Sequence, residues 1–443
     1  MLEGEMMMDT RREFLRKTML GAPLSMGAGA GLTSFLGQSL TGIAQEAIDI
    51  PILNDDARGH KILVLIQLDG GNDGLNTVVP WGNRRYYQAR RSIAIKETDA
   101  IKLEGIKDNQ GLGLHPELNY FSELFKQGKL AVINNVGYAN PNRSHFRSGA
   151  IWESAMENAS WMNEDQLRAQ TGWLGRYFDQ CCAGEGNLAG VYHGKNPLSM
   201  RGESFRGTSV ADLENDPFGY MKLRNDLMSD PVFRKLQNPA SGGEPESKLK
   251  FVRDVSKDTL SASDKMRKFL ADVKQRGNGF PQTGLGKQLG LISQFISQGA
   301  STRVYIARIG GFDTHSKQLA GHAARMKEIN DAVQAFMSQI DVIGVEKNVA
   351  VMTFSEFGRQ LKENGTQGTD HGAAAPMFLI GGGVKGGIYG NAPKLKGDMV
   401  ADFGGLVHEI DFRSVYRSVL EQYLGVSSSG IISDVFAPMK LYT

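Results

Sequence analysis

The chain has 443 residues, 41% hydrophobic and 22% charged, an ordinary globular balance, and it is long enough for one large domain with an insertion. A net charge of +2 makes no electrostatic case for nucleic acid or an anionic membrane surface. The 54 glycines cluster at the ends of apolar runs, which marks tight turns and close backbone approach rather than a flexible polymer.

The chain opens on Thr10-Arg-Arg-Glu-Phe-Leu-Arg-Lys17, with a weakly hydrophobic, Gly- and Ala-rich stretch from Met19 to about Leu40. Gly42-Ile-Ala44 then offers small residues where a signal peptidase reads. The pattern is that of a twin-arginine export signal, set against the alternative of an amphipathic N-terminal helix. Residues 1–46 are therefore assigned to a signal peptide and 47–443 to the folded domain. The expected partner is the twin-arginine export machinery, and the expected location is the periplasm, the cell surface or the extracellular space. The leader is too glycine-rich for a stable spanning helix and no other apolar run reaches spanning length, so no stable membrane span is expected.

Lys61–Leu68 reads as a first strand, running into Asp69-Gly-Gly-Asn-Asp-Gly74. A helix over 118–127 leads to a strand over 130–136, which runs into Asn140-Pro-Asn-Arg-Ser-His-Phe146, and a helix resumes over 144–155. Helix is expected over 162–181, interrupted at 171–173, and 188–200 reads as short, extended and glycine-punctuated. The adjacent Cys181 and Cys182 are expected not to bridge, because the geometry is strained. They read as two small buried residues, with a redox or metal role as the alternative. From about 202 to 280 the texture turns charged and polar, an insertion of helices and loops expected to cap a substrate entrance or to decorate the far side. A helix over 286–298 precedes a strand over 303–309, which runs into Gly310-Gly-Phe-Asp-Thr-His315. Met326, Ile329, Val333, Phe336 and Ile340 then repeat at helical spacing. Val349–Thr353 is an apolar strand breaking into Phe354-Ser-Glu-Phe-Gly-Arg359; a further strand spans 376–380, and a last helix begins near Phe412. Repeated strand–helix alternation predicts an α/β fold with a mostly parallel sheet, its strands buried on both faces.

Four of these apolar runs deliver Asp, Glu, Ser or His at one end, and in open α/β sheets functional groups gather at the carboxyl ends of strands. Carboxylates and imidazoles brought together from different loops are what hard or borderline cations need. The metal-ligand candidates are Asp69, Asp313, His315, Glu356 and His371, with Asp370 beside the last. Asp69 alone also fits a turn-former, and His315 alone a hydrogen-bonded structural histidine. Ser144, at a helix start, is either an N-cap or a metal-activated nucleophile. Arg143 and Arg359 either clamp an anionic oxygen or form salt bridges. The Gly381-Gly-Gly383 run lacks the phosphate-loop pattern, and there is no serine-hydrolase elbow.

The leader together with Leu68-Asp-Gly-Gly-Asn-Asp-Gly74, Asn142-Arg-Ser-His-Phe146, Gly311-Phe-Asp-Thr-His315, Phe354-Ser-Glu-Phe-Gly-Arg359 and Thr369-Asp-His-Gly372 resembles the DUF1501 family of exported bacterial proteins of unknown function, over about 60–443. That family in turn resembles the alkaline phosphatase and sulfatase superfamily. The resemblance implies a three-layer α/β/α sandwich carrying a metal-dependent hydrolase of phosphate or sulfate esters. It implies a divalent ion (zinc, calcium or manganese; one or two) and a small anionic ester as substrate. Asp69 matches the superfamily's first-strand metal aspartate, Ser144 its nucleophile, and His371 its last metal histidine. Asp313 and His315 resemble its Asp-and-His pair at a closer spacing, and Glu356 stands where that superfamily has an Asp-His pair. These departures carry the competing reading, a non-catalytic exported binding or assembly protein on a degenerate scaffold.

Overall fold

The computed structural model describes residues 60–103, 111–182, 189–194, 197–205, 207–210 and 279–443. The expected signal peptide over 1–46 lies outside the described residues, and so do residues 211–278 of the expected insertion.

Nine strands among the described residues form one sheet. In chain order they are β1 (Ile62–Leu68), β2 (Leu130–Gly137), β3 (Gly190–His193), β4 (Thr208–Val210), β5 (Val304–Ile309), β6 (Val349–Phe354), β7 (Ala375–Gly381), β8 (Gly387–Tyr389) and β9 (Ile410–Asp411). The spatial order is β8-β2-β7-β6-β1-β5-β3-β4, with β9 also against β2. β1 sits in the middle, parallel to β5 with Leu68 opposite Ile309 and to β6 with Gln67 opposite Phe354. β7 alone among these strands runs antiparallel, against both β2 and β6. The sheet also continues past 202, since Thr208–Val210 adds a parallel edge strand beside β3.

The helices that matter for packing are α1 (Asn119–Lys126), α2 (His145–Ser154), α3 (Trp173–Cys181), α4 (Gly284–Ser297), α5 (Gln318–Ile343) and α6 (Phe412–Ser418). Side chains alternate across a strand, and both faces of β1 are apolar. Ile62, Val64 and Ile66 face one core with Phe121 of α1, Leu289 of α4 and Met326, Val333 and Phe336 of α5. Leu63 and Leu65 face the other with Trp152 of α2, Trp173 of α3 and Tyr416 of α6. The result is an α/β/α sandwich, as the alternation of elements implies. The stripe of α5 is buried at all five expected positions, and the helix stops at Gly344, whose φ of 78° suits a left-handed cap.

One expectation is corrected. Cys181 and Cys182 are joined as a disulfide. Cys181 is the last residue of α3, and Cys182 has left helical geometry at φ −130°, ψ 27°, so the two side chains no longer diverge around a helical turn.

Candidate functional site

Because β7 runs against its neighbours, its first residue lies at the carboxyl edge: Ala375 is opposite Val136, near the end of β2. The connection from the end of β6 to the start of β7 therefore begins and ends at that edge. It brings Glu356, Asp370 and His371 to the place where β1 delivers Asp69, β2 leads to α2, and β5 leads to Asp313 and His315. Two glycines make the approach close enough. A Cβ on Gly70 would stand 2.5 Å from the backbone nitrogen of Asp313, at a φ of +119°. A Cβ on Gly368 would overlap the backbone of His315.

Three imidazoles meet there around one carboxylate. Each has its Nδ1 against an acceptor: His145 on Glu356 Oε1 (2.7 Å), His315 on Asp370 Oδ1 (3.0 Å), and His371 on the carbonyl of Arg143 (2.8 Å). An ionised carboxylate or a carbonyl only accepts, so each neutral ring carries its hydrogen on Nδ1 and turns a bare Nε2 inward. The inward nitrogens converge on Asp313. His145 Nε2 is 3.6 Å from Oδ2, and the Nε2 atoms of His315 and His371 are 3.0 and 3.1 Å from Oδ1. The two latter nitrogens stand 3.0 Å apart. Lone pairs aimed at one another and at a carboxylate repel. Extra protons on the rings, or one cation shared by all, remove the conflict.

Arg359 organises the carboxylate from behind. Its side chain is fully buried; Nε donates to Gly71 O (2.8 Å), Nη1 to Thr369 O (2.9 Å), and Nη2 to Gly70 O, Phe312 O (2.9 Å) and Asp313 Oδ1 (2.7 Å). Burial pushes the Asp313 carboxyl up, but the hydrogen bond from Arg359, then that from a His371 ring protonated at Nε2, outweigh it and hold the group at about 2. The Glu356 hydrogen bond raises His145 above the ordinary imidazole value, against the effect of burial. Asn364 and then His315 hold Asp370 below the usual carboxylate range.

The expected residues distribute as follows. Asp313, His315 and His371 come together. Glu356 is buried at one remove from them; it accepts from Gly70 N (2.9 Å) and Ser355 Oγ (3.1 Å) and faces the cluster through His145. Asp69 pairs with Arg308 of β5 (3.1 Å) and has no hydrogen bond to the imidazoles among the described residues. Arg359, weighed as a clamp on a substrate oxygen, has its donors taken by four backbone carbonyls and Asp313. Ser144 stands at the N-cap of α2, exposed, and its side chain makes no capping bond. It lies in sequence between Arg143, whose carbonyl holds His371, and His145. Sequence reasoning missed His145, although it lies in the same Asn142–Phe146 motif; the signal was an imidazole at the first residue of a helix that follows a strand end.

The donor set fits a metal ion. The ligand atoms of His145, Asp313 and His371 all lie within 4.8 Å of one another. A tetrahedral ion with bonds of about 2.0–2.1 Å separates its ligand atoms by roughly 3.4 Å. Imidazole with carboxylate suits zinc or manganese, whereas calcium prefers an all-oxygen shell. The site is also open, with Asp313 half exposed.

No helix among the described residues is long and apolar enough to cross a membrane. Among curated proteins none matches the chain. Solved structures similar to it include a protein of glycosaminoglycan metabolism from Bacteroides thetaiotaomicron, with 12% identity, a TM-score of 0.39 and coverage of 86% of this chain and 75% of that one. The soluble domain of lipooligosaccharide phosphoethanolamine transferase A from Neisseria meningitidis has 9% identity, a TM-score of 0.36 and coverage of 88% and 95%. A Pseudoalteromonas sulfatase has 10% identity, a TM-score of 0.36 and coverage of 91% and 74%. The model of DUF1501, a protein of unknown function, matches residues 249–413. That segment carries Asp313, His315, Glu356, Arg359 and His371, so the likeness to this family covers most of the cluster.

Proposed function

We propose that the chain is an exported, metal-dependent hydrolase of phosphate or sulfate esters. The observation that supports this most is the ring of three imidazoles, each locked through Nδ1 and each turning Nε2 toward Asp313. Metal-ligating histidines are held in this way by a carboxylate or carbonyl on the far nitrogen. In this reading His145, Asp313, His315 and His371 hold one divalent ion, zinc or manganese. Glu356, Asp370 and the Arg143 carbonyl fix the rings, and Arg359 fixes Asp313. A bound ion of this kind supplies Lewis-acid polarisation of an ester oxygen and lowers the pKa of an oxygen nucleophile.

The remaining chemistry belongs to the chain's own residues. Ser144 presents its hydroxyl at the N-terminus of α2, where unpaired backbone N–H groups and the helix dipole favour an anion and a developing alkoxide. It is the nucleophile of the proposed reaction. Arg143 is exposed beside it, its guanidinium 4.8 Å from the ring centre of Phe403, and is available to an anionic ester as the buried Arg359 is not. In this reading the twin-arginine pattern at 10–17 is an export signal, and the protein works in the periplasm, on the cell surface or outside the cell.

The test is elemental analysis of protein purified without chelator, followed by assays on an aryl phosphate and an aryl sulfate. About one zinc or manganese per chain is expected, with turnover of one ester that Ser144→Ala abolishes while metal content stays. Metal-free protein from metal-replete expression overturns the metal reading. Bound metal with no turnover of either ester favours the non-catalytic binding or assembly role.

A further inference from the structure

We infer that Gln318 is a positioning residue, an amide gauge that sets the spacing of the two loops carrying His315 and His371. This rests on the metal-centre reading above and adds to it a residue outside the metal shell.

Gln318 is the first residue of α5 and is fully buried. Its Nε2 donates to Asp73 Oδ2, and its Oε1 accepts from Thr314 Oγ1 (3.1 Å) and Thr369 Oγ1 (2.6 Å). Thr314 lies between Asp313 and His315; Thr369 directly precedes Asp370 and His371. The same loops are tied by Thr369 N to Thr314 O (3.0 Å) and by Gln318 N to Gln367 O (2.9 Å). One side-chain amide therefore touches both ligand-bearing loops.

Its orientation is imposed from the other side. Asp73 accepts from Arg90 Nη1 at 2.5 Å, both side chains being fully buried. Arg90 is fixed in turn by Leu361 O (2.9 Å) and Gln360 O (2.9 Å). An ionised carboxylate can only accept, so the NH2 end of Gln318 must face Asp73 and the oxygen must face the two threonines. The position calls for a donor at one end and a double acceptor at the other, at the length of two methylenes. Glutamate would set a second carboxylate against Asp73, and asparagine is one methylene short. Buried networks of this kind hold outer groups of a site in one geometry. Here the geometry held is the 3.0 Å separation of the His315 and His371 Nε2 atoms.

The test compares wild type, Gln318→Met, Thr369→Val and the double variant, by zinc titration and by amide hydrogen exchange of the metal-free proteins. Gln318→Met keeps the length and removes every hydrogen bond of the side chain while leaving the backbone bond to Gln367 O. Each single variant is expected to lose about 10–100-fold in zinc affinity. The double variant is expected to lose little more than the worse single, because both changes break one device. Exchange at the Thr369 amide should speed up about tenfold in Gln318→Met while amides in β1 and β6 keep their protection. Zinc affinity within about twofold of wild type in the folded singles overturns the inference, as do fully additive losses. If wild type itself binds neither zinc nor manganese, the metal reading fails and the Thr369 exchange rate decides for Gln318: unchanged, the inference is wrong; faster, it stands. If Gln318→Met does not fold, Thr369→Val carries the same comparison.

Discussion

Two groups of histidines lie close to the carboxyl edge of the sheet, and they differ in what surrounds them. His115 and His322 stack edge to face at 5.5 Å, and both are buried. Burial pushes them down to about 3 and about 4, so both are neutral at pH 7. The charges beside them are matched in place, Asp73 by Arg90 and Gln318. Around Asp313 the rings are part-exposed, each is fixed on its outer nitrogen, and His145 is raised toward the charged form. The first group is buried, neutral and flanked by matched charges, and it reads as architecture. The second has its acceptors facing one another and needs something positive from outside. The same residue type thus serves packing or ligation according to whether burial keeps it neutral in the core or its inward nitrogen meets other rings at a shared, half-exposed carboxylate.

Breaking the closed network should give the largest effect. Arg90→Met leaves Asp73 as an uncompensated buried charge and should cost about 3–5 kcal/mol in urea denaturation at pH 7. The sign with pH is definite. Burial pushes Asp73 up, but Arg90 outweighs it and holds the carboxyl below its ordinary value. Its contribution is therefore fully present above the unfolded pKa near 4 and is lost as pH falls through the lower, folded value. In Arg90→Met the buried carboxyl is raised instead, so the gap between wild type and variant should narrow on acidification. A gap that widens below pH 4 would show that Arg90 is not what holds Asp73 ionised.

Breaking the open cluster should leave the fold and remove the ligand. His371→Ala should lose more than about 100-fold in zinc affinity by titration, exceeding what outer partners usually cost, with a thermal midpoint close to wild type. Equal affinity would remove His371 from the metal shell. Glu356→Gln sharpens the comparison by turning a half-satisfied imidazole into an ordinary one. Zinc affinity should fall about 10–100-fold, and the raised pKa of His145, followed by ring NMR in the metal-free protein, should drop toward the ordinary value. The smallest effect is expected at Asp69→Asn. A half-exposed pair with Arg308 is worth within about 1 kcal/mol, and zinc content should not change; its loss would bring Asp69 back among the ligands.

The layers of the sandwich were legible because β1, β5 and β6 are continuous apolar runs and α5 repeats at 3.6 residues, patterns that burial on two faces or one stripe enforces. Asp313, His315 and His371 were legible because each lies in a glycine-rich turn beyond or before a strand. His145 was hidden behind Ser144, whose place at the helix start drew the chemistry to the hydroxyl. Asp69 looked equivalent to Asp313 by position, but a strand end fixes where a side chain begins and not which cation it meets, and Arg308 of the neighbouring strand is nearer. The network of Asp73, Arg90 and Gln318 joins residues up to 245 positions apart in the chain and leaves no periodic trace in the sequence.

The reversed direction of β7 has a kinetic consequence. β6 and β7 pair directly, so the segment between them is a single long hairpin connection, and Glu356, Arg359 and His371 meet through contacts of short sequence range. His145 and Asp313 arrive from positions more than 200 and about 40 residues away from Glu356. Short-range pairing closes early and long-range pairing late, because loop-closure entropy must be overcome first. The half of the cluster on the hairpin is thus laid down ahead of the half that waits for β1, β2 and β5 to dock. Metal uptake during refolding should therefore trail the appearance of β6–β7 pairing, and a filled site certifies that the whole sheet has closed.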